Sequence, residues 1–148
     1  MTLKPLLPDQ FDCLKPLLEE RLKESGLSKL SNPDYVLKRV KDLYSIRSAG
    51  AYVDDFRNPK HCLIMTHFPS MLIDDITASI SLIYTRPEFR GNPEDVEVLY
   101  STAENYARLN GAKTITGSSW LFSGSKRTDA LWIKRGFNLQ SVSYIKML

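Results

Sequence analysis

The stretch Ile76-Thr77-Ala78-Ser79-Ile80-Ser81-Leu82-Ile83-Tyr84-Thr85 runs into Arg86-Pro87-Glu88-Phe89-Arg90-Gly91-Asn92-Pro93-Glu94-Asp95, and its reading decides the fold. The first part alternates as a strand does, with Ile76, Ala78, Ile80 and Leu82 on one face and Thr77, Ser79 and Ser81 on the other. Asn92-Pro93-Glu94-Asp95 is a helix start: Asn as cap, Pro in the first turn, acids beside the positive end. Val96, Leu99, Tyr100, Ala103, Tyr106 and Ala107 then recur at helical spacing, and Asn110-Gly111 closes the helix. Ala112 to Thr116 reads as a short strand. Strand, helix and strand in succession predict a crossover unit.

Working outward, residues 2 to 7 suit a short strand and Asp9 suits a helix cap. Phe11, Leu14, Leu18 and Leu22 share a helical face, and Pro16 inside the run marks a fresh start or a kink. Ser25-Gly26 ends that helix. Asn32-Pro33-Asp34 starts a second one, striped by Val36, Val40, Leu43 and Tyr44 and ended by Ala49-Gly50. Ala51 to Phe56 and His61 to His67, joined by Arg57-Asn58-Pro59-Lys60, read as a hairpin, and Phe68 to Asp75 as loop. Ser125 to Arg135 reads as a short helix stopped by Gly136, and Phe137 to Met147 holds one strand or two. The order βααβββαβαβ predicts an α/β (α+β) fold: a mixed central sheet flanked by helices, in one domain spanning 1–148.

Size and charge narrow the functions. A chain of 148 residues, 43% apolar and 25% charged, is one ordinary globular domain that folds without disulfide or metal. Twenty basic against 17 acidic residues leave +3, too little to imply nucleic acid, and no basic motif interleaved with aromatics appears. No run approaches the length that spans a bilayer. The N-terminus lacks a signal-peptide apolar region, and Cys13 and Cys62 read as reduced thiols, which predicts a cytoplasmic setting.

Three phrases carry a resemblance. Ile83-Tyr84-Thr85-Arg86-Pro87-Glu88-Phe89-Arg90-Gly91, then "AENYARLNGA" (Ala103 to Ala112), then "ALWIKRGF" (Ala130 to Phe137) resemble, in this order, the GCN5-related N-acetyltransferase (GNAT) superfamily. The opening "TLKPLLPDQFDCLKPLLEE" (Thr2 to Glu20) is similar to that superfamily's first strand and helix. The resemblance implies acetyl transfer from acetyl-CoA to an amine acceptor. The pantetheine would pair with backbone near Ile83 to Thr85, and the loop Arg90, Gly91, Asn92 and Asp95 would hold the diphosphate. It also places Trp132 where relatives carry a tyrosine general acid and Ser125 where they carry an asparagine; an indole N–H only donates a hydrogen bond. Catalytic residues are left unassigned, with Glu88, Asp74, Asp75 and His67 as loop or strand candidates for a base. The resemblance equally admits a non-catalytic binding or structural protein with a protein partner, such as a tailed-phage virion or injected component. In that case the chain would be virion-associated.

The loop departs from the superfamily's pattern at the glycines. Pro93 stands at one glycine position and has no N–H to give a phosphate, and Asp95 stands at the next small-residue position. Asn92 and Asp95 would satisfy the helix donors internally. Glu94 and Asp95 add negative charge: a carboxylate about 5 Å from a phosphate at an effective dielectric near 20 costs about 3 kcal/mol. A micromolar ligand has about 8 kcal/mol in total. Weakened CoA binding is the expectation.

Other features have two readings each. Arg86 and Arg90 either grip phosphate or close a solvated turn. Ser123-Gly124-Ser125-Lys126-Arg127 is a small basic loop that would cradle an anion or simply be loop. Trp120, Phe122 and Trp132 form a recognition surface or pack internally. His61 and His67, six apart on a strand, point to one face but lack a third metal ligand. Asp54-Asp55 and Asp74-Asp75 are adjacent, so on a strand they would face opposite ways. Lys38, Arg39, Lys41 and Arg47 make a solvated helix face.

Overall fold

The structure, a computed structural model, describes residues 1–72, 74–117, 130, 132–138 and 146. Two compact units emerge, Met1–Ser118 and Ser119–Leu148. In the first, β1 (Lys4–Pro5) leads through a 3-10 stretch (Pro8–Leu14) into α1 (Lys15–Glu24) and α2 (Pro33–Ser45). Then come β2 (Ala49–Val53), β3 (His61–Pro69), β4 (Ile76–Thr85), a 3-10 turn (Pro87–Phe89), α3 (Pro93–Leu109) and β5 (Thr114–Thr116). The strands lie in sequence order, antiparallel from β1 to β4, with β5 parallel to β4. That last pair is the one joined by a crossover helix, as parallel pairing requires. The mixed sheet with flanking helices is the architecture expected from the pattern. In the second unit, residues 130 and 132–134 are helical and Gly136 turns the chain at φ +84°. Trp132 packs edge-on against Phe137 with ring centres 4.8 Å apart. The strand expected over Phe137 to Met147 lies outside the described residues, apart from the non-strand positions 137, 138 and 146.

Several boundaries differ from expectation for local reasons. Asp9 is not a helix cap: Leu7 is, its N–H donating to Gln10 Oε1 at 3.0 Å, and Pro16 restarts the chain as α-helix. α2 begins as expected, with Asn32 accepting from the Tyr35 N–H at 2.9 Å, but ends at Ser45 rather than at Ala49-Gly50. Arg47 takes the left-handed position (φ 60°) and Ser48 N–H bonds Leu43 C=O, so Ala49 is already free to begin β2. β2 therefore runs Ala49–Val53, not Ala51 to Phe56, and β3 continues past His67 to Pro69. Asp54 caps the intervening turn by accepting from both Lys60 and His61 N–H at 2.9 Å.

The largest departure is in β4. Ile64 of β3 pairs with Leu82, but Met65 pairs with Ile80, so Ser81 is an extra residue in β4. Such a bulge breaks the alternation beyond it. Leu82 does not share the face of Ala78 and Ile80; it packs with the α1–α2 core instead. Ile83 and Thr85 take its place on the α3 side, opposite Leu63 and His61.

The sheet thus separates two apolar layers. One holds Leu6, Phe11, Leu14, Leu17, Leu18, Leu37 and Val40 against Ala51, Val53, Cys62, Ile64 and Tyr84. Burial of each large side chain contributes roughly 1.5–3 kcal/mol. The other sets Leu99, Tyr100, Ala103, Tyr106 and Ala107 of α3 across β3 and β4. Gly50 lies under this second layer. A Cβ there would sit 2.8 Å from Tyr106 Cε2, whose ring is held by a 2.7 Å contact from its hydroxyl to His67 Nδ1. Gly50→Ala should lower stability by about 1–3 kcal/mol, read as a reduced thermal midpoint. An unchanged midpoint would show that the Tyr106 ring moves aside freely.

Candidate functional site

The site follows from what the bulge re-aims. Beyond Ser79, the last residue of β4 that pairs with β5, β4 continues through Ile80–Thr85. Along that length no described strand covers the β4 edge facing away from β3. Among the described residues, the Ile83–Thr85 segment pairs with β3 on one side and with no strand on the other. Thr85, turned to the α3 side by the bulge, meets His61: Nδ1 lies 3.0 Å from the Thr85 hydroxyl. His61 Nε2 faces Asp95 Oδ2 at 3.7 Å, and the imidazole is only 4% exposed. At the other end of β3, His67 meets Tyr106. The two histidines share one face of β3, as their spacing predicts, and each faces a polar residue of α3. No described group of His, Cys, Asp or Glu residues is arranged to hold a metal.

At the α3 N-terminus two of the first N–H groups are engaged by Asn92, that of Glu94 by its side chain and that of Val96 by its C=O. Asn92 Oδ1 accepts from Glu94 N–H at 3.0 Å, and Pro93 has none. Gly91 adopts φ +99°, open to glycine at no steric cost. Glu94 is exposed, whereas Asp95 turns inward to His61. Of the two acids expected to repel a diphosphate, Glu94 remains at the surface.

Both loop arginines reach α1. Arg90 donates to both Glu24 oxygens, at 2.8 and 2.9 Å, and from Nε to Thr85 C=O at 2.8 Å. Its guanidinium also lies 5.3 Å from the Tyr84 ring centre. Arg86 Nε is 3.2 Å from Glu20 Oε1, an ion pair without an aligned hydrogen bond, and its NH1 donates to Asn58 Oδ1 at 3.4 Å. Glu20 and Glu24 were not singled out by motif. Their signal is spacing: two acids four apart on a helix, facing two arginines four apart in a loop.

The remaining expected residues lie elsewhere. Glu88 and Asp74 are exposed. Asp75 bonds Lys113 at 3.0 Å, which with the Ile76 N–H holds its carboxyl below the usual range. Asp55 closes a turn onto Arg57 N–H. Burial raises the Cys13 thiol to about 11 and pushes Cys62 further up; both are free. On α2, Lys38 and Lys41 pair with Asp42 and Asp12 at the surface and Arg39 is exposed, whereas Arg47, also exposed, lies beyond the helix end rather than on the expected face. Trp120, Phe122 and the Ser123 to Arg127 loop, including Ser125, lie outside the described residues.

Set beside known proteins, the sequence matches no family model and no curated protein. Its structure matches many. A protein described as a predicted acetyltransferase with acetyl-CoA, from Clostridium acetobutylicum, superposes with TM-score 0.77 at 12% identity, over 99% of this chain and 95% of that one. A GCN5-related N-acetyltransferase from Ralstonia eutropha gives 0.73 at 15% identity, over 98% and 97%. A ribosomal-protein-alanine N-acetyltransferase from Brucella melitensis biovar Abortus gives 0.72 at 14%, over 100% of both. The chain has the GNAT fold. No helix among the described residues is long and apolar enough to cross a membrane.

Burial lowers the His67 imidazole from its ordinary 6.5. Tyr106 O–H donating to an unprotonated Nδ1 fits that direction. The folded chain then binds fewer protons here than the unfolded chain as pH falls below about 6.5, so stability declines through that window. His67→Gln should flatten the fall in thermal midpoint on acidification. A slope equal to wild type would assign the loss to another group.

Proposed function

We propose that the chain is an N-acyltransferase-type protein that lays an acyl-pantetheine thioester along β4 and holds coenzyme A weakly. The observation that carries this reading is that β4 runs on to Thr85 while its pairing with β5 ends at Ser79, so that among the described residues no strand adjoins Ile83–Thr85 on that side. A pantetheine arm has amides that would pair there as an added strand does. An amine then attacks the thioester carbonyl, the C–S bond breaks, and the thiol leaves with the proton that the amine sheds. Arg90, Gly91, Asn92 and Asp95 would border the diphosphate of acetyl-CoA. In this reading 1–148 is one functional domain, acting in the cytoplasm.

A second reading, a non-catalytic binding or structural protein on the same fold, is supported by the Glu94 N–H already taken by Asn92 Oδ1 and the missing donor at Pro93. It would be virion-associated if the chain is phage-encoded, and its partner would be a protein.

Calorimetric titration with acetyl-CoA at low salt separates the two. Binding at high micromolar to millimolar concentration is expected. Pro93→Gly restores one backbone donor and should tighten it by about tenfold, the effect of one hydrogen bond to a charged group. Asp95 is left intact, because replacing it would strip the buried His61 of its partner. No heat from either protein at millimolar ligand would establish the non-catalytic reading.

A further inference from the structure

We propose that Glu20 and Glu24 set the donor selectivity of the β4 slot. They make it indifferent to the nucleotide half of coenzyme A, so that an acyl-pantetheine thioester lacking any nucleotide binds as well as acyl-CoA. This rests on the reading of the β4 edge given above. The two acids lie one turn apart on α1, opposite Arg86 and Arg90. Glu24 takes the Arg90 terminal nitrogen through both of its oxygens, and Thr85 C=O takes Nε, so the guanidinium is fixed at both ends. Charge-assisted pairs of this kind are among the stronger side-chain contacts. Glu20 faces Arg86 as an ion pair at 3.2 Å without an aligned hydrogen bond, and Tyr84 O–H donates to its other oxygen at 3.5 Å.

A diphosphate could recruit Arg90 only by displacing Glu24, leaving a carboxylate beside its own negative charge. Exposed Glu88 and Glu94 add to that repulsion, the Glu94 N–H is already taken by Asn92 Oδ1, and Pro93 has no N–H to offer in compensation. The pantetheine arm is neutral and needs only the backbone of β4. The acids therefore oppose one half of coenzyme A and leave the other untouched.

The test is calorimetric titration of the full chain with acetyl-CoA and with S-acetylpantetheine, for wild type and Glu24→Gln. Wild type should bind the two ligands within about threefold of each other. Glu24→Gln frees Arg90 and should tighten acetyl-CoA by about tenfold, with S-acetylpantetheine unchanged. Adding Arg90→Gln should abolish that gain, which a cycle of single and double variants measures as coupling. Glu20→Gln provides the parallel test through Arg86 should Glu24→Gln not fold. Wild type binding acetyl-CoA more than tenfold tighter than S-acetylpantetheine would overturn the inference and leave the slot reading standing. An equal shift for both ligands would also overturn it, since that marks a merely structural role. Binding of neither ligand by any variant would defeat the slot reading itself, and the inference with it.

Discussion

One inserted residue, Ser81, governs the arrangement. By adding itself to β4 opposite the Ile64–Met65 step of β3, it exchanges the faces of every residue that follows. Leu82 and Tyr84 complete the layer beneath α1 and α2, while Ile83 and Thr85 turn toward α3. Thr85 can reach His61, and His61 can face Asp95, only because of that exchange. Pairing with β5 ends at Ser79, two residues before Ser81. The same irregularity therefore lies close to the point where the described pairing of β4 with β5 ends.

The β4 strand beyond Ser79 and the loop that follows it differ in what they present. The strand offers backbone groups, which depend on geometry and hardly on side-chain identity. The loop would have to offer donors and positive charge, which depend on particular residues. Here those residues are engaged within the protein: Asn92 with Glu94, Arg90 with Glu24, Arg86 with Glu20, Asp95 with His61. A fold can thus be complete while one part of its usual chemistry is redirected to internal contacts. The fold match at 12% to 15% identity has the same basis, since it needs patterning and register rather than the identity of loop residues.

Much of the fold was legible. The Asn32 and Asn92 caps, the left-handed Gly111 after α3, and the limits of β4 are set by neighbours within a turn or two, so local pattern suffices. The end of α2 was misplaced because Arg47, not a glycine, takes the left-handed position. The core residue Leu17 stood outside the expected stripe because a 3-10 segment precedes α1 and shifts the phase of the helix.

The sequence by itself determined the order of elements, the mixed sheet and the absence of an N–H at Pro93, because these are properties of single residues and short periods. Only the tertiary structure decided which face Thr85 takes, that Asp95 turns to His61, and that Glu20 and Glu24 hold the two arginines. The physical reason is distance along the chain. Glu24 and Arg90 are 66 residues apart, and their contact exists only once the sheet register brings the end of β4 beside α1. That register in turn hangs on one extra serine in β4, whose hydroxyl meets that of Thr66 at 2.8 Å and whose place no local periodicity announces.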